Sequence, residues 1–188
     1  MSEYKPANKV SDQDIAHLKL IRANVNRFLT EAAKQYALAP ARLLDIAPQN
    51  HEGARPFFPA FINIETFDID PKSGATHIGD ICRKNDGIID ATYDFIVCTE
   101  VLEHTLQPFS ALVELWRMLK PGGVIFVSVP FNFRIHGPLP DCWRFTEHGL
   151  RALFNAWEII KLDAIETTDR FLMPVHYTLI ARKPVKHA

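Results

Sequence analysis

Apolar residues follow two different patterns along this chain. Over residues 11–36 they recur at steps of three and four, which predicts one helix with a single apolar face. Ser11, with Asp14 three residues later, is a candidate N-cap, and Pro40 marks the end of the pattern. The residues of that face are Ile15, Leu18, Ile21, Val25, Phe28, Ala32 and Tyr36.

Beyond Pro40 the apolar residues form short unbroken runs, which are typical of strands buried on both faces of a parallel sheet. The predicted strands are residues 42–47, 63–70, 76–81, 93–101 and 123–130. Pro108 opens a second helix, which ends at the Lys-Pro-Gly-Gly turn of residues 120–123. Its predicted buried face consists of Phe109, Leu112, Val113, Trp116 and Leu119.

The end of the chain changes character. Thr146 is a candidate N-cap for a third helix. Residues 157–166 and 174–183 have no helical pattern between them and predict an antiparallel hairpin. The whole pattern predicts an α/β fold, a three-layer sandwich with one antiparallel strand added late. A chain of 188 residues holds one such domain, here residues 11–188 after a flexible N-terminus of residues 1–10.

Composition and charge narrow the range of functions that the chain could have. The chain carries 21 basic and 22 acidic residues and no basic run longer than two, so a nucleic acid is not an expected partner. No apolar run approaches the roughly 18 residues of a membrane helix, and the first ten residues lack the apolar core of a signal peptide. The three cysteines are far apart and the eight histidines show no ligand spacing, which predicts a reduced, cytoplasmic protein without a metal.

Acidic residues stand at the ends of consecutive predicted strands. Asp45, Asp68, Asp80 and Glu100 close the first four runs. Parallel strands bring their carboxyl ends to one edge of the sheet, where ligands bind. Carboxylates collected there would repel one another unless a bound group supplied hydroxyls, amines or positive charge. The pattern therefore indicates a nucleoside ligand, preferably a cationic one.

Five segments in this order resemble the motifs of class I S-adenosylmethionine-dependent methyltransferases, in the small-molecule branch similar to methyltransferase types 11 and 12. They are LLDIAP (43–48), FDIDP (67–71), GDI (79–81), YDFIVCTEVLEH (93–104) and LKPGGVIFVSVP (119–130). The resemblance implies a Rossmann-like fold with a mostly parallel seven-stranded sheet and one antiparallel strand. It also implies S-adenosylmethionine as cofactor and a small-molecule acceptor, with the protein a monomer or a homodimer. An NAD-dependent oxidoreductase is disfavoured because the chain has no G-x-G-x-x-G.

The resemblance assigns roles to residues at the strand ends. Asp68 corresponds to the acid that accepts hydrogen bonds from the two ribose hydroxyls, which are charge-assisted and strong. Asp80 corresponds to the acceptor for the adenine amino group, and Ile81 would lie against the ring. Asp45 corresponds to the acid that orients the first loop or meets the methionine amine, and Glu100 is expected to face the methionine part of the cofactor. The full cofactor-binding set is Asp45, Ala47, Gln49, His51, Asp68, Ile69, Asp80, Ile81, Thr99 and Glu100.

The first of these motifs departs from the family. The chain has only eight glycines, and Ala47, Gln49 and His51 occupy a loop that is glycine-rich in the family; the next glycine is Gly53. One interpretation is that the loop holds the cofactor in an altered way, with Gln49 or His51 reaching its carboxylate. The other is a non-catalytic binding or partner module that has lost the cofactor. The retained strand-end acids favour the first.

The segment FNFRIHGPLPDCWRFT (131–146) is the most distinctive part of the chain. It predicts a lid over the acceptor, and a general base for a hydroxyl acceptor must come from this side of the site. The candidate bases are His104, His136 and Asp141. Candidate acceptor contacts are Arg134, Trp143 and Arg144, whose arginines would suit a carboxylate or phosphate. The pattern HGPLPDCWRFT resembles bacterial methyltransferases of sugar and lipopolysaccharide assembly, which implies a sugar or glycan precursor as acceptor.

Overall fold

The structure, a computed structural model, describes residues 10–48 and 52–185. The helices within those ranges are α1 (Asp12–Tyr36), α2 (Pro108–Met118) and α3 (Glu147–Leu153), with a 3₁₀ turn at Leu102–His104. The strands are β1 (Ala41–Ile46), β2 (Ile62–Asp68), β3 (His77–Ile78), β4 (Tyr93–Thr99), β5 (Leu119–Pro130), β6 (Glu158–Ile165) and β7 (His176–Arg182).

The strands form a seven-stranded sheet in the order β3-β2-β1-β4-β5-β7-β6. Every pairing is parallel except those of β7, which runs antiparallel to both β5 and β6. The predicted mostly parallel sheet with one antiparallel strand is therefore confirmed. Strand order reverses between β1 and β4, and that point is where open α/β sheets bind ligands.

Two clusters of buried apolar residues lie on opposite faces of the sheet. Leu43 points to the cluster that contains Phe28 of α1, and its neighbour Leu44 points to the cluster that contains Leu112 of α2. This alternation follows from the period of two in a strand. Because each face of the sheet has its own helix layer, the predicted three-layer sandwich is confirmed.

Both predicted N-caps are confirmed. The Ser11 hydroxyl accepts a hydrogen bond from the backbone N–H of Asp14 at 3.1 Å. The Thr146 hydroxyl accepts one from the backbone N–H of Gly149, also at 3.1 Å. Each satisfies one of the backbone donors that a helix start leaves without a partner.

The buried faces of the first two helices differ from the prediction. In α2, the predicted residues Phe109 and Val113 are exposed, whereas the predicted Leu112 is buried. The other buried residues of the helix include Pro108, Ala111, Leu115 and Met118. In α1, Ile15 and Leu18 are partly exposed while His17 and Asn24 are buried. The first turns of α1 lie over the strand ends, where polar side chains find hydrogen-bond partners.

Candidate active site

Two cavities meet at the carboxyl ends of the central strands. The β2-side cavity, of about 350 Å³, lies beside the ends of β2 and β4. The α1-side cavity, of about 400 Å³, lies between the first turns of α1 and the ends of β1 and β4. Four residues line both: Ala47, Glu100, His104 and Pro138. The arrangement gives one continuous site with two differently built halves.

The β2-side cavity collects the residues predicted to hold adenosine. Asp68 ends β2, is 7% exposed and accepts a hydrogen bond from the Asp70 N–H at 2.8 Å. Asp80 accepts one from the Cys82 N–H, also at 2.8 Å. Ile81 is buried in the wall, and Ile69 lies at the exposed rim. The structure thus brings four of the predicted residues into one cavity: Asp68, Ile69, Asp80 and Ile81.

Asp45 is a buried carboxyl at the end of β1. Its Oδ2 accepts a hydrogen bond from the Ala54 N–H at 2.7 Å, and burial raises its pKa to about 6. Gly53 lies against it with φ of +57°, and a Cβ there would overlap the Asp45 carboxylate and the Pro48 side chain. This position requires glycine, so the loop after β1 retains a glycine where the Asp45 carboxylate leaves no room for a side chain.

Ala47 adopts the left-handed conformation, with φ of +51°. Its N–H donates to the Phe67 carbonyl of β2 at 2.7 Å, which holds the turn in place. A non-glycine residue in this conformation costs about 1–2 kcal/mol. The backbone therefore turns as a glycine would although the residue is alanine. Gln49 and His51 lie outside the described residues, and their predicted contacts stay predictions.

Glu100 is joined to α1 by a buried chain of hydrogen bonds. Its Oε1 accepts from the Ser128 hydroxyl at 2.8 Å and from Nε2 of the fully buried His176 at 2.6 Å. Nδ1 of His176 in turn accepts from the amide Nδ2 of Asn24 at 2.9 Å. The backbone of Glu100 has a positive φ of 56°. The preceding residue, Thr99, lines the α1-side cavity. The sequence did not predict these hydrogen bonds, and their one signal there is the histidine that begins an otherwise apolar strand.

His104 and His136 come together although 32 positions separate them. Their rings meet edge to face with centroids 4.9 Å apart, and both line the α1-side cavity. Nδ1 of His104 lies 3.0 Å from the Pro140 carbonyl oxygen, so that nitrogen carries the proton and Nε2 is free to accept one. Burial lowers the pKa of His136, which favours its neutral form. Two of the three predicted bases therefore share one wall of the site.

The third predicted base, Asp141, is engaged within the 131–146 segment. Burial would raise its pKa, but hydrogen bonds from Arg144 and from the backbone N–H of His136 hold the pKa below its usual value. A carboxylate so strongly stabilised in its charged form is a poor proton acceptor. The base role of Asp141 stays a prediction, and the hydrogen bond and ion pair with His136 favour a role in orienting that histidine.

Arg144 is likewise occupied. Its guanidinium binds the Asp141 carboxylate through both terminal nitrogens and donates to the carbonyls of Phe133, Arg134 and Trp143. These donors hold the 131–146 segment together, and the predicted acceptor contact of Arg144 stays a prediction. Trp143 donates from Nε1 to the Thr105 carbonyl at 2.8 Å. Arg134 and Trp143 are not among the described residues that line the two cavities, so their acceptor roles stay predictions.

In the part of the chain that the structure describes, no helix combines the length and the apolar character needed to cross a membrane. The predicted cytoplasmic location, the absence of a nucleic-acid partner and the oligomeric state stay predictions.

The strand order, the antiparallel β7 and the acids at the strand ends define the class I methyltransferase fold. The chain belongs to the methyltransferase-domain family, whose sequence model matches residues 15–164. The expected class of S-adenosylmethionine-dependent methyltransferases is thereby confirmed, and with it S-adenosylmethionine as the cofactor of the family.

Curated relatives match short parts of the chain. The ubiquinone biosynthesis O-methyltransferase of Hydrogenovibrio crunogenus is 29% identical over 94 residues, which cover 48% of this chain and 34% of that protein. Its counterpart in Pseudomonas savastanoi pv. phaseolicola is 47% identical over 36 residues, 19% of this chain and 16% of the relative. The matched part of the chain thus spans about a third or less of these relatives.

Solved structures share the fold over most of the chain. The [4+2]-cyclase SpnF superposes with a TM-score of 0.68 at 18% identity, covering 85% of this chain and 81% of its own. The 1,6-didemethyltoxoflavin-N1-methyltransferase of Burkholderia thailandensis, crystallised with S-adenosylhomocysteine, gives 0.64 at 14% identity, with coverage of 98% and 94%. A SAM-dependent methyltransferase of Methanosarcina mazei gives 0.62 at 16%, with coverage of 81% and 97%. Likeness at these identities establishes the fold alone.

Proposed function

We propose that this protein transfers a methyl group from S-adenosylmethionine to a hydroxyl of a small-molecule acceptor. The observation that carries the proposal is the junction of the two cavities at Ala47, Glu100 and His104. An acidic cavity suited to a nucleoside opens there onto a second cavity lined by two histidines. A donor and an acceptor bound in the two halves would meet at that junction.

The residues of the β2-side cavity fit the adenosine part of the cofactor. Asp68 offers a buried carboxylate to two ribose hydroxyls, Asp80 an acceptor to the adenine amino group, and Ile81 an apolar surface to the ring. A cavity of about 350 Å³ lies within the usual range for small-molecule sites. When bound, the cofactor supplies an electrophilic methyl group on a cationic sulfonium. The carboxylates of Glu100, which lines both cavities, and of Asp45, in the neighbouring α1-side cavity, favour positive charge near the junction.

The α1-side cavity supports an acceptor with an apolar or aromatic face. Most of the side chains that line it are apolar, among them Leu18, Ile21, Val25, Leu29, Phe57 and Phe133. Arg22 and Asn26 add polar groups along one side. A polyhydroxylated sugar would leave many hydroxyls without partners against such a wall, which costs binding free energy. The curated relatives, named as O-methyltransferases of ubiquinone biosynthesis, also support a hydroxylated ring over the sugar or glycan precursor.

His104 supports the hydroxyl chemistry. Its Nε2 can accept the hydroxyl proton, because Nδ1 is committed to the Pro140 carbonyl. As the new O–C bond forms, the sulfonium C–S bond breaks, and the products are the methyl ether, S-adenosylhomocysteine and one proton held on the imidazole. Such proton removal contributes a factor of about 10²–10⁴ to the rate.

The test uses the full chain with methyl-labelled S-adenosylmethionine and two acceptor panels, hydroxylated aromatic compounds and sugar nucleotides. Label is expected in the aromatic panel alone. Labelling of sugar nucleotides alone would overturn the acceptor class and favour the glycan precursor. Calorimetry with S-adenosylhomocysteine provides the independent check that the donor half is intact.

A second candidate is a non-catalytic binding or partner module. Ala47 favours it, since the family has glycine in that loop and a side chain narrows the approach to the cofactor. A folded protein that releases no heat with millimolar S-adenosylhomocysteine would establish this candidate in place of the enzyme.

A further inference from the structure

Glu103, His104 and His136 form a compact group in the wall of the α1-side cavity. One ligand-type atom from each lies within 4.8 Å of the others. The Oε1 atom of Glu103 is 3.7 Å from Nε2 of His104 and 3.9 Å from Nε2 of His136. Three potential ligand atoms therefore surround one point.

Glu103 is the unusual member of this group. Its side chain is fully buried, and among the described residues neither carboxylate oxygen has a hydrogen-bond donor. Buried carboxylates are normally paired, hydrogen-bonded or bound to a metal. A cation at the point that Glu103 shares with the two histidines would supply the missing partner.

The two histidines are oriented as metal ligands are. Nδ1 of His104 faces the Pro140 carbonyl at 3.0 Å. Nδ1 of His136 faces Oδ2 of Asp141 at 3.1 Å and the Arg134 carbonyl at 3.3 Å. Since all these partners are acceptors, both Nδ1 atoms carry protons, which leaves the two Nε2 atoms, at 3.7 and 3.9 Å from Oε1 of Glu103, without protons. Metal-binding histidines almost always donate their other N–H to a carboxylate or a carbonyl in this way.

The distances suit a transition-metal ion. Nitrogen and oxygen ligands lie at about 2.0–2.2 Å from such an ion, so two ligands of one ion are at most about 4.4 Å apart. The separations of 3.7 and 3.9 Å fall within that limit. Imidazole donors favour zinc, iron, copper or nickel over magnesium and calcium, which prefer oxygen-only sites.

We propose that Glu103, His104 and His136 bind a divalent transition-metal ion, with Zn²⁺ as the probe that defines the site. Both histidines line the α1-side cavity, so a coordination position left open by three protein ligands faces the acceptor. With the metal bound, Nε2 of His104 is a ligand and no longer the proton acceptor, and a hydroxyl bound at the open position would lose its proton more readily because of the metal. This catalytic consequence rests on the proposed function, whereas metal binding itself does not. The sequence pattern hid the site because two ligands are adjacent and the third comes from a distant loop.

The experiment titrates Zn²⁺ into the chelator-treated full chain by calorimetry and reads Co²⁺ binding from visible absorption. One equivalent per chain is expected. His136→Ala and Glu103→Gln should each weaken Zn²⁺ binding by more than about 100-fold, and Asp141→Asn, which acts through His136, by about 10–100-fold. His148→Ala, at an exposed histidine of α3, is the matched control and should leave binding unchanged.

Zn²⁺ binding that is absent, or that His148→Ala weakens as much as His136→Ala, would overturn the site. Thermal unfolding of each variant verifies that it is folded before its affinity is compared. S-adenosylhomocysteine affinity, measured on the same samples, separates the two proposals. Wild-type protein that binds Zn²⁺ but not S-adenosylhomocysteine leaves the metal site standing and overturns the methyltransferase function.

Discussion

The two cavities of the site are built from different parts of the chain. The β2-side cavity takes its acids from Asp68, where β2 ends, and from Asp80, shortly after β3. The α1-side cavity combines a helix, a 3₁₀ turn and the 131–146 segment, which are distant in sequence. The first depends on strand ends that the sheet fixes in place. The second depends on side-chain interactions, above all those of Arg144, that hold a long loop against the rest of the site.

The largest effect on stability is expected at Arg144, whose side chain holds the 131–146 segment in the α1-side cavity in place. Arg144→Ala leaves the buried Asp141 carboxylate without its cation and should lower the free energy of unfolding by about 3–4 kcal/mol. Arg151→Ala, which breaks the exposed pair with Glu147, is the control and should cost only about 0.3–0.5 kcal/mol. Urea unfolding measures both. Equal costs would mean that the pair does not hold the 131–146 segment.

A pH effect of similar size is expected at Asp45, which ends β1 and lines the α1-side cavity. Its pKa is about 6 in the folded protein against 3.8 for the ordinary group, so the folded state binds this proton more tightly than the unfolded chain. The free energy of unfolding should therefore fall as the pH rises from about 4 to about 6, by about 3 kcal/mol in total. Asp45→Asn should lack this fall. Urea unfolding of both proteins from pH 4 to 7 gives the difference, and parallel curves would contradict the assignment.

In the β2-side cavity, Asp68→Ala should weaken S-adenosylhomocysteine binding by about 1.5–3 kcal/mol, or roughly 10- to 150-fold. The reason is that the carboxylate can no longer accept hydrogen bonds from the ribose hydroxyls. Stability should change less than in Arg144→Ala. Asp70→Ala, at an exposed carboxylate two residues away, is the control. Calorimetry that finds the same affinity for the wild type and Asp68→Ala would refute the ribose role of this residue.

The smallest effect is expected at the turn after β1. Ala47→Gly removes the strain of a left-handed alanine, about 1–2 kcal/mol, but the unfolded chain gains entropy that costs about 0.5–1 kcal/mol on folding. The free energy of unfolding should therefore rise by about 0.5–1 kcal/mol. Ala91→Gly removes the same strain away from the cavities and should give a similar gain in thermal unfolding. Only Ala47→Gly is expected to change S-adenosylhomocysteine affinity.

The residues of the β2-side cavity could be predicted because each follows directly from its position along the chain. Short apolar runs located the strands, and an acid after a parallel strand must lie at the ligand-binding edge, so Asp68 and Asp80 fell into one cavity as expected. In α2 the same reasoning found the buried Leu112 but also included the exposed Phe109 and Val113, which are as apolar as the buried residues beside them.

The residues of the α1-side cavity could not be predicted to the same degree. Asn24, Glu100 and His176 come together from three distant parts of the chain. Glu100 was predicted as an acid at a strand end, but Asn24 and His176 belong to no spacing pattern. Arg144 was expected to bind an acceptor because charge alone does not reveal whether a guanidinium is already engaged. The metal-type group of Glu103, His104 and His136 likewise depends on how the loop folds back.

Ala47 has a consequence for how distant members of such families are found. The backbone there still turns left-handed with φ of +51°, and the glycine that the fold cannot replace is Gly53, beside Asp45. A search that requires particular letters in the loop after the first strand would pass over this chain. A description based on backbone dihedral angles, with one left-handed residue after the strand and one glycine Cα packed tightly against the buried acid, would include it.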